Sequence, residues 1–231
     1  MEANRLWDRR AALAALSSMA AAALLPGCAA TPVQDAPLVP GRTPRVGDTW
    51  QYNVTGGWAN VPSQIIAVRC EQVGANTITD RLSVAGTTVG DTRTFSSNWA
   101  IVSRPLGSGA GVNEFSPYLT AFGTPPAGQR FNVGMPPAQI GTSWSATGEV
   151  AGNETVSTPA GSFDAVRINL TANRPFIRGQ MDDVIDPVYV VATAWLAPAA
   201  KRLVRFTYQS FGNTNNPLLR QDAMLSALTL T

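Results

Sequence analysis

From about residue 46 onward, apolar and polar side chains alternate with a period of two, not the 3.6 of a helix. Val204, Phe206 and Tyr208 share one face of a strand, and Arg205, Thr207 and Gln209 share the other, as in an antiparallel strand buried on one side. Ile78 to Val84 follows the same rule less cleanly. This periodicity predicts strands near 48–55, 62–71, 76–85, 87–95, 98–104, 143–151, 153–158, 162–171, 188–197, 201–211 and 218–229. Beyond the N-terminal region no window predicts an amphipathic helix, although Ser116 to Phe122 has room for one or two turns. Val188 to Leu196 is apolar on both faces, with Val188, Val190, Ala192 and Ala194 against Tyr189, Val191 and Trp195. Such a strand needs cover on both sides, either from another part of the chain or from a ligand in an apolar cavity.

Turn chemistry punctuates these runs. Thr158-Pro159-Ala160-Gly161 predicts a bulged hairpin, because proline presets φ for a type I turn and Gly161 can take the left-handed conformation after it. Between about 107 and 137 the chain is rich in glycine and proline. That stretch is either a surface excursion, available to cover the two-faced strand, or a seam between two β sub-layers. Val46-Gly47-Asp48-Thr49-Trp50 and Ile140-Gly141-Thr142-Ser143-Trp144 share an aliphatic-Gly-x-small-Trp opening, a weak internal echo.

The first 45 residues have a different character. Arg5, Arg9 and Arg10 precede an uncharged Ala/Leu-rich run from Ala11 to Leu25, which Pro26-Gly27 ends. Fifteen residues are too short for a bilayer core of about 30 Å, which needs about 20 residues in helix, so residues 1–27 are predicted to be an export signal. The twin arginine fits the Tat route as well as the Sec route. Leu25-Pro26-Gly27-Cys28 resembles the lipobox of bacterial lipoproteins, with proline as a departure at its second position. The resemblance implies acylation of Cys28, with palmitate among the acyl groups, and Ala29 after it implies sorting to the outer membrane. Residues 28–45 are Pro-, Ala- and Thr-rich and read as an extended tether to a β domain over 46–231.

Composition removes most chemistry. Among 231 residues there is no histidine, which excludes His-based triads, Cys–His pairs and zinc–histidine sites. The net charge of +2 gives no sign of nucleic-acid binding. With Cys28 acylated, Cys70 is the remaining thiol; it sits in an apolar run and reads as a small buried hydrophobe. Gly107-Ser108-Gly109-Ala110-Gly111 lacks the lysine and helix of a phosphate loop. Asp182, Asp183 and Asp186 lack the glycine and downstream glutamate of a calcium loop. Lys201, the single lysine, has no Ser-x-x-Lys ahead of it. No catalytic residue, metal or cofactor is therefore predicted; paired carboxylates of a hydrolase remain as the alternative.

Ile140-Gly141-Thr142-Ser143-Trp144, then Glu154 to Ile168 around Pro159-Ala160-Gly161-Ser162-Phe163-Asp164-Ala165, then Ala194-Trp195-Leu196-Ala197-Pro198 occur in that order. The order resembles a group of bacterial envelope lipoproteins with the pattern Gly-x-x-Trp … Pro-Ala-Gly-x-Phe-x-Ala … Trp-x-Ala-Pro. The resemblance covers residues 140–208 and implies an all-β fold: a curved antiparallel sheet, half-barrel, or lipocalin-like barrel or sandwich. It transfers no catalytic residue. The expectation is a non-catalytic, membrane-anchored envelope protein that binds a lipid, another apolar ligand or a protein partner. Its candidate ligand-lining residues are Trp144, Tyr189, Val191 and Trp195.

Overall fold

The structure is a computed structural model and describes residues 38–56, 63–85, 90–96, 101–103, 117–133, 145–173, 188–212 and 217–231, all within the unit Pro32–Thr231. Eleven strands form one sheet: β1 Thr49–Gly56, β2 Gln64–Val73, β3 Thr77–Val84, β4 Gly90–Ser96, β5 Ile101–Ser103, β6 Arg130–Val133, β7 Ser145–Thr158, β8 Gly161–Asn173, β9 Tyr189–Ala197, β10 Arg202–Phe211 and β11 Pro217–Thr229. Short 3-10 turns occupy Leu119–Ala121 and Pro198–Ala200. Every pairing is antiparallel, in the order β5-β4-β3-β2-β1-β11-β10-β9-β8-β7-β6.

The all-β, curved antiparallel architecture agrees with the sequence reading, and its order shows how the halves meet. β1 to β5 step outward from the centre, and β6 to β11 step back to it. The break falls within the Gly/Pro-rich excursion, yet both halves belong to the same sheet through β1 and β11. The sheet coils tightly. The Trp50 indole N–H of β1 donates to the Ala200 carbonyl in the β9–β10 turn at 2.8 Å, although β11 and β10 lie between them in the sheet.

The alternating pattern explains the core. Trp50, Tyr52 and Val54 point inward from β1; Ile66 and Val68 from β2; Phe206 and Tyr208 from β10. Burying each such side chain contributes about 1.5–3 kcal/mol. The excursion supplies a further layer: Tyr118, Leu119, Ala121 and Phe122 insert into the core around the predicted one-turn helix. Pro117 and Ala121 hold that segment by accepting backbone N–H groups from Leu203 and Val39.

Three local details depart from expectation. The strands expected at 143–151 and 153–158 are one strand, β7. Gly152, with φ 137°, absorbs an extra residue as a bulge. β6 was not expected; its alternating Phe131 and Val133 lie in a region otherwise dominated by Gly and Pro, and Phe131 stacks across Gly148 of β7. The β7–β8 turn carries positive φ at Gly161, as predicted, but Thr158 pairs with Gly161 and the register shift lies at Gly152 instead.

At Gly161, φ is 132°, and an added Cβ would meet only the Phe163 ring at 3.9 Å. The position is roomy but strained for any L side chain. Gly161→Ala is expected to cost about 1–2 kcal/mol through backbone strain alone. Urea unfolding checks this, and an unchanged midpoint would contradict it.

Candidate functional site: the buried ion cluster and the outer face of β9

Charged residues occupy apolar-phase positions on several strands. Asp48 shares the inward side with Trp50 and Tyr52, Asp80 with Ile78 and Leu82, Arg93 with Phe95, and Arg202 with Val204. All four charged residues are fully buried. A buried charge is tolerated only when paired and hydrogen-bonded.

Arg202 is at the centre of the cluster. Its Nη2 and Nε lie 3.2 and 3.3 Å from Asp80 Oδ2, and Nη1 donates to the Tyr52 hydroxyl at 2.9 Å. Its guanidinium carbon stands 5.3 to 5.7 Å from the ring centroids of Trp50, Tyr52 and Tyr118. Arginine suits this place because its planar, weakly hydrated cation stacks on aromatic faces and forks to carboxylates. Tyr118 completes the cluster by donating its hydroxyl to Asp80 Oδ1 at 2.6 Å. Burial first, and the adjacent Asp80 charge second, push the Tyr118 phenol well above its ordinary 10.0. It remains a protonated donor that pins the inserted segment.

Asp48 makes a second knot. Its Oδ2 accepts from the Arg45 backbone N–H at 2.8 Å and from Lys201 Nζ at 3.2 Å; Oδ1 accepts from the backbone and hydroxyl of Thr231. Burial pushes this carboxyl up, but the N–H groups of Thr231 and Arg45, the Thr231 hydroxyl and Lys201 together leave it below its ordinary 3.8. Lys201 adopts left-handed φ 56°, and that conformation directs consecutive Lys201 and Arg202 to different carboxylates.

This arrangement is chemically closed. Asp48 and Asp80 are both sealed from solvent, and donors occupy both oxygens of each carboxylate. Among the described residues no three metal-ligating side chains come together. Cys70 is also buried, and Arg69 beside it lies on the opposite, exposed side of β2, as the strand parity implied. Burial, then the charges of Asp80 and Asp48, push its thiol up to about 12. In the folded protein Cys70 is therefore expected to resist iodoacetamide at pH 8 and to react fully in denaturant; mass spectrometry reads the difference.

The other candidates lie elsewhere. Trp144 and Cys28 fall outside the described residues. Tyr189, Val191 and Trp195 line up on the face of β9 opposite the core, while Val190, Ala192, Ala194 and Leu196 face inward. On that outer face, Arg205 stacks on Trp195 with its guanidinium carbon 5.1 Å from the centroid, and the indole N–H donates to Glu154. Glu154 also pairs with Arg167 at 3.2 Å, and Arg205 with Asp222 at 2.8 Å. Tyr189, 40% exposed, packs against Phe211 with centroids 5.9 Å apart. The three residues thus share one surface of half-buried aromatic and aliphatic groups.

No protein-family model matches the chain, and no curated protein sequence matches it. Among solved structures it is similar to a candidate lipoprotein of Parabacteroides distasonis, at 12% identity over 85% of this chain and 100% of that one, with a TM-score of 0.42. It is also similar to a candidate exported protein with a YmcC-like fold from Bacteroides fragilis, at 15% identity over 84% and 99% of the two chains, TM-score 0.43. A third is the hypothetical lipoprotein YmcC of Escherichia coli, at 10% identity over 80% and 86%, TM-score 0.41.

Proposed function

We propose that the chain is a non-catalytic lipoprotein of the bacterial envelope. Cys28 carries the lipid, the protein sits at the outer membrane facing the periplasm, and the curved sheet binds a protein partner or an apolar ligand. The observation that carries this reading is Leu25-Pro26-Gly27-Cys28 at the end of a short apolar run, followed by a Pro-rich tether. The inward face of the sheet is filled by its own side chains and by the segment around Tyr118. Recognition therefore falls to the outer face of β9 and β10, where Tyr189, Val191, Trp195 and Phe211 offer a shallow surface, better suited to a partner than to an enclosed small molecule. The two buried carboxylates Asp48 and Asp80 are sealed from solvent, which supports the non-catalytic reading over a hydrolase that uses them as a pair.

The test is Cys28→Ser. The wild type is expected to take up labelled palmitate and to fractionate with the outer membrane, whereas the variant loses the label and leaves the membrane fraction. A wild type that takes up no palmitate, or a variant that stays with the membrane, would overturn the reading.

A further inference from the structure

Among the described residues four large apolar side chains are exposed, and two of them, Val46 at 60% and Leu230 at 37%, lie at the same end of the sheet. They flank the Asp48 knot: Thr231 donates to Asp48, and Thr49 pairs with Thr229. The tether arrives at this end. Leu38, ten residues after Cys28, packs on the core, and the chain then runs through Arg45, whose backbone N–H donates to Asp48. Ten extended residues span at most about 35 Å, so a lipid on Cys28 holds the domain within that reach of the bilayer. The charge here is also suitable. Arg42 and Arg69 are exposed, as is Arg45, whose Nη1 also donates to the Thr231 carbonyl oxygen at 3.1 Å, while Asp48 is paired with Lys201 and Glu71 with Arg81.

We infer that this end is a bilayer-docking surface. Val46 and Leu230 enter the headgroup–acyl boundary, and Arg42, Arg45 and Arg69 meet the phosphates of anionic lipids. The inference rests on the lipid anchor at Cys28. It adds an orientation: the sheet stands with this end on the membrane, leaving the face around Tyr189 free for a partner.

The experiment uses the full lipidated chain on vesicles of phosphatidylcholine with or without phosphatidylglycerol. A thiol-reactive fluorophore is placed at Val46→Cys, Leu230→Cys or, at the opposite end of the sheet, the exposed Asn173→Cys; the sealed Cys70 does not compete for it. Quenching by a lipid-borne nitroxide is expected to be about threefold greater at positions 46 and 230 than at 173, and greater still with phosphatidylglycerol. Arg42→Glu combined with Arg69→Glu should remove the phosphatidylglycerol increment while leaving the urea midpoint unchanged. Equal quenching at 46 and 173 in protein that floats with the vesicles would overturn the docking surface and leave the anchor standing. Protein that does not float at all would overturn both. An increment that survives both charge reversals would overturn the role of the arginines.

Discussion

Asp80→Ala is expected to destabilise the fold by about 3–5 kcal/mol, a larger loss than any surface change in this chain should give. The carboxylate is fully buried and holds Arg202, also fully buried, and it accepts the Tyr118 hydroxyl. Its removal takes from the buried guanidinium its Asp80 ion pair and from the Tyr118 phenol the carboxylate that accepts its proton, both out of reach of water. The control is the paired replacement Asp80→Leu with Arg202→Met, which removes both charges and should recover much of the loss. Urea denaturation of the three variants gives the comparison. A loss below 1 kcal/mol for Asp80→Ala would mean that the ion pair does not organise the core.

Ala192→Trp is expected to cost about 3 kcal/mol, at the upper end of the overpacking range, because an indole replaces a methyl group in a filled interior. Ala192 is 6% exposed on the inward face of β9, between Leu170 of β8 and Tyr208 of β10. An open ligand cavity on that face would instead tolerate the added volume and lose affinity for apolar dyes. Thermal unfolding and dye binding on this one variant separate the two situations. Near-wild-type stability with reduced dye binding would restore the cavity and move ligand recognition to the inner face.

Most strands were legible because half-buried antiparallel strands write their burial as alternation, and β1, β2 and β10 keep to it over most of their length. The two apolar faces of β9 were legible, but among the described residues only the inner one lies in the core, while Tyr189, Val191 and Trp195 stay partly exposed. The inner cover, the coiled sheet with Tyr118 and its neighbours, depends on contacts distant in sequence. The Gly152 bulge escaped because a glycine beside asparagine carries the same local signature whether the chain turns or simply gains a residue. The ion cluster left a trace that period-two reading alone can find: Asp48, Asp80, Arg93 and Arg202 each fall in the apolar phase of a strand. Which charge meets which was not legible. Asp80 and Arg202 are 122 residues apart, and only the coiling of the sheet brings them together. Cys70 and Arg69 were placed correctly by parity, because a strand assigns neighbours to opposite faces without reference to the rest of the chain.

The pairing of β1 with β11 has a kinetic consequence. Asp48 and Thr231, which meet at this junction, are 183 residues apart, so the strand that joins the two halves of the sheet closes one of the longest loops the chain can make. Topologies dominated by such distant pairings fold slowly. Until β11 arrives, β1 has an unpaired edge in each nascent chain, an open template for strands of other chains. A chain made N-terminus first meets this condition throughout its synthesis. Its sheet stays divided until Pro217–Thr229 has been made, and the lifetime of that divided state sets how strongly the protein depends on chaperones that shield strand edges.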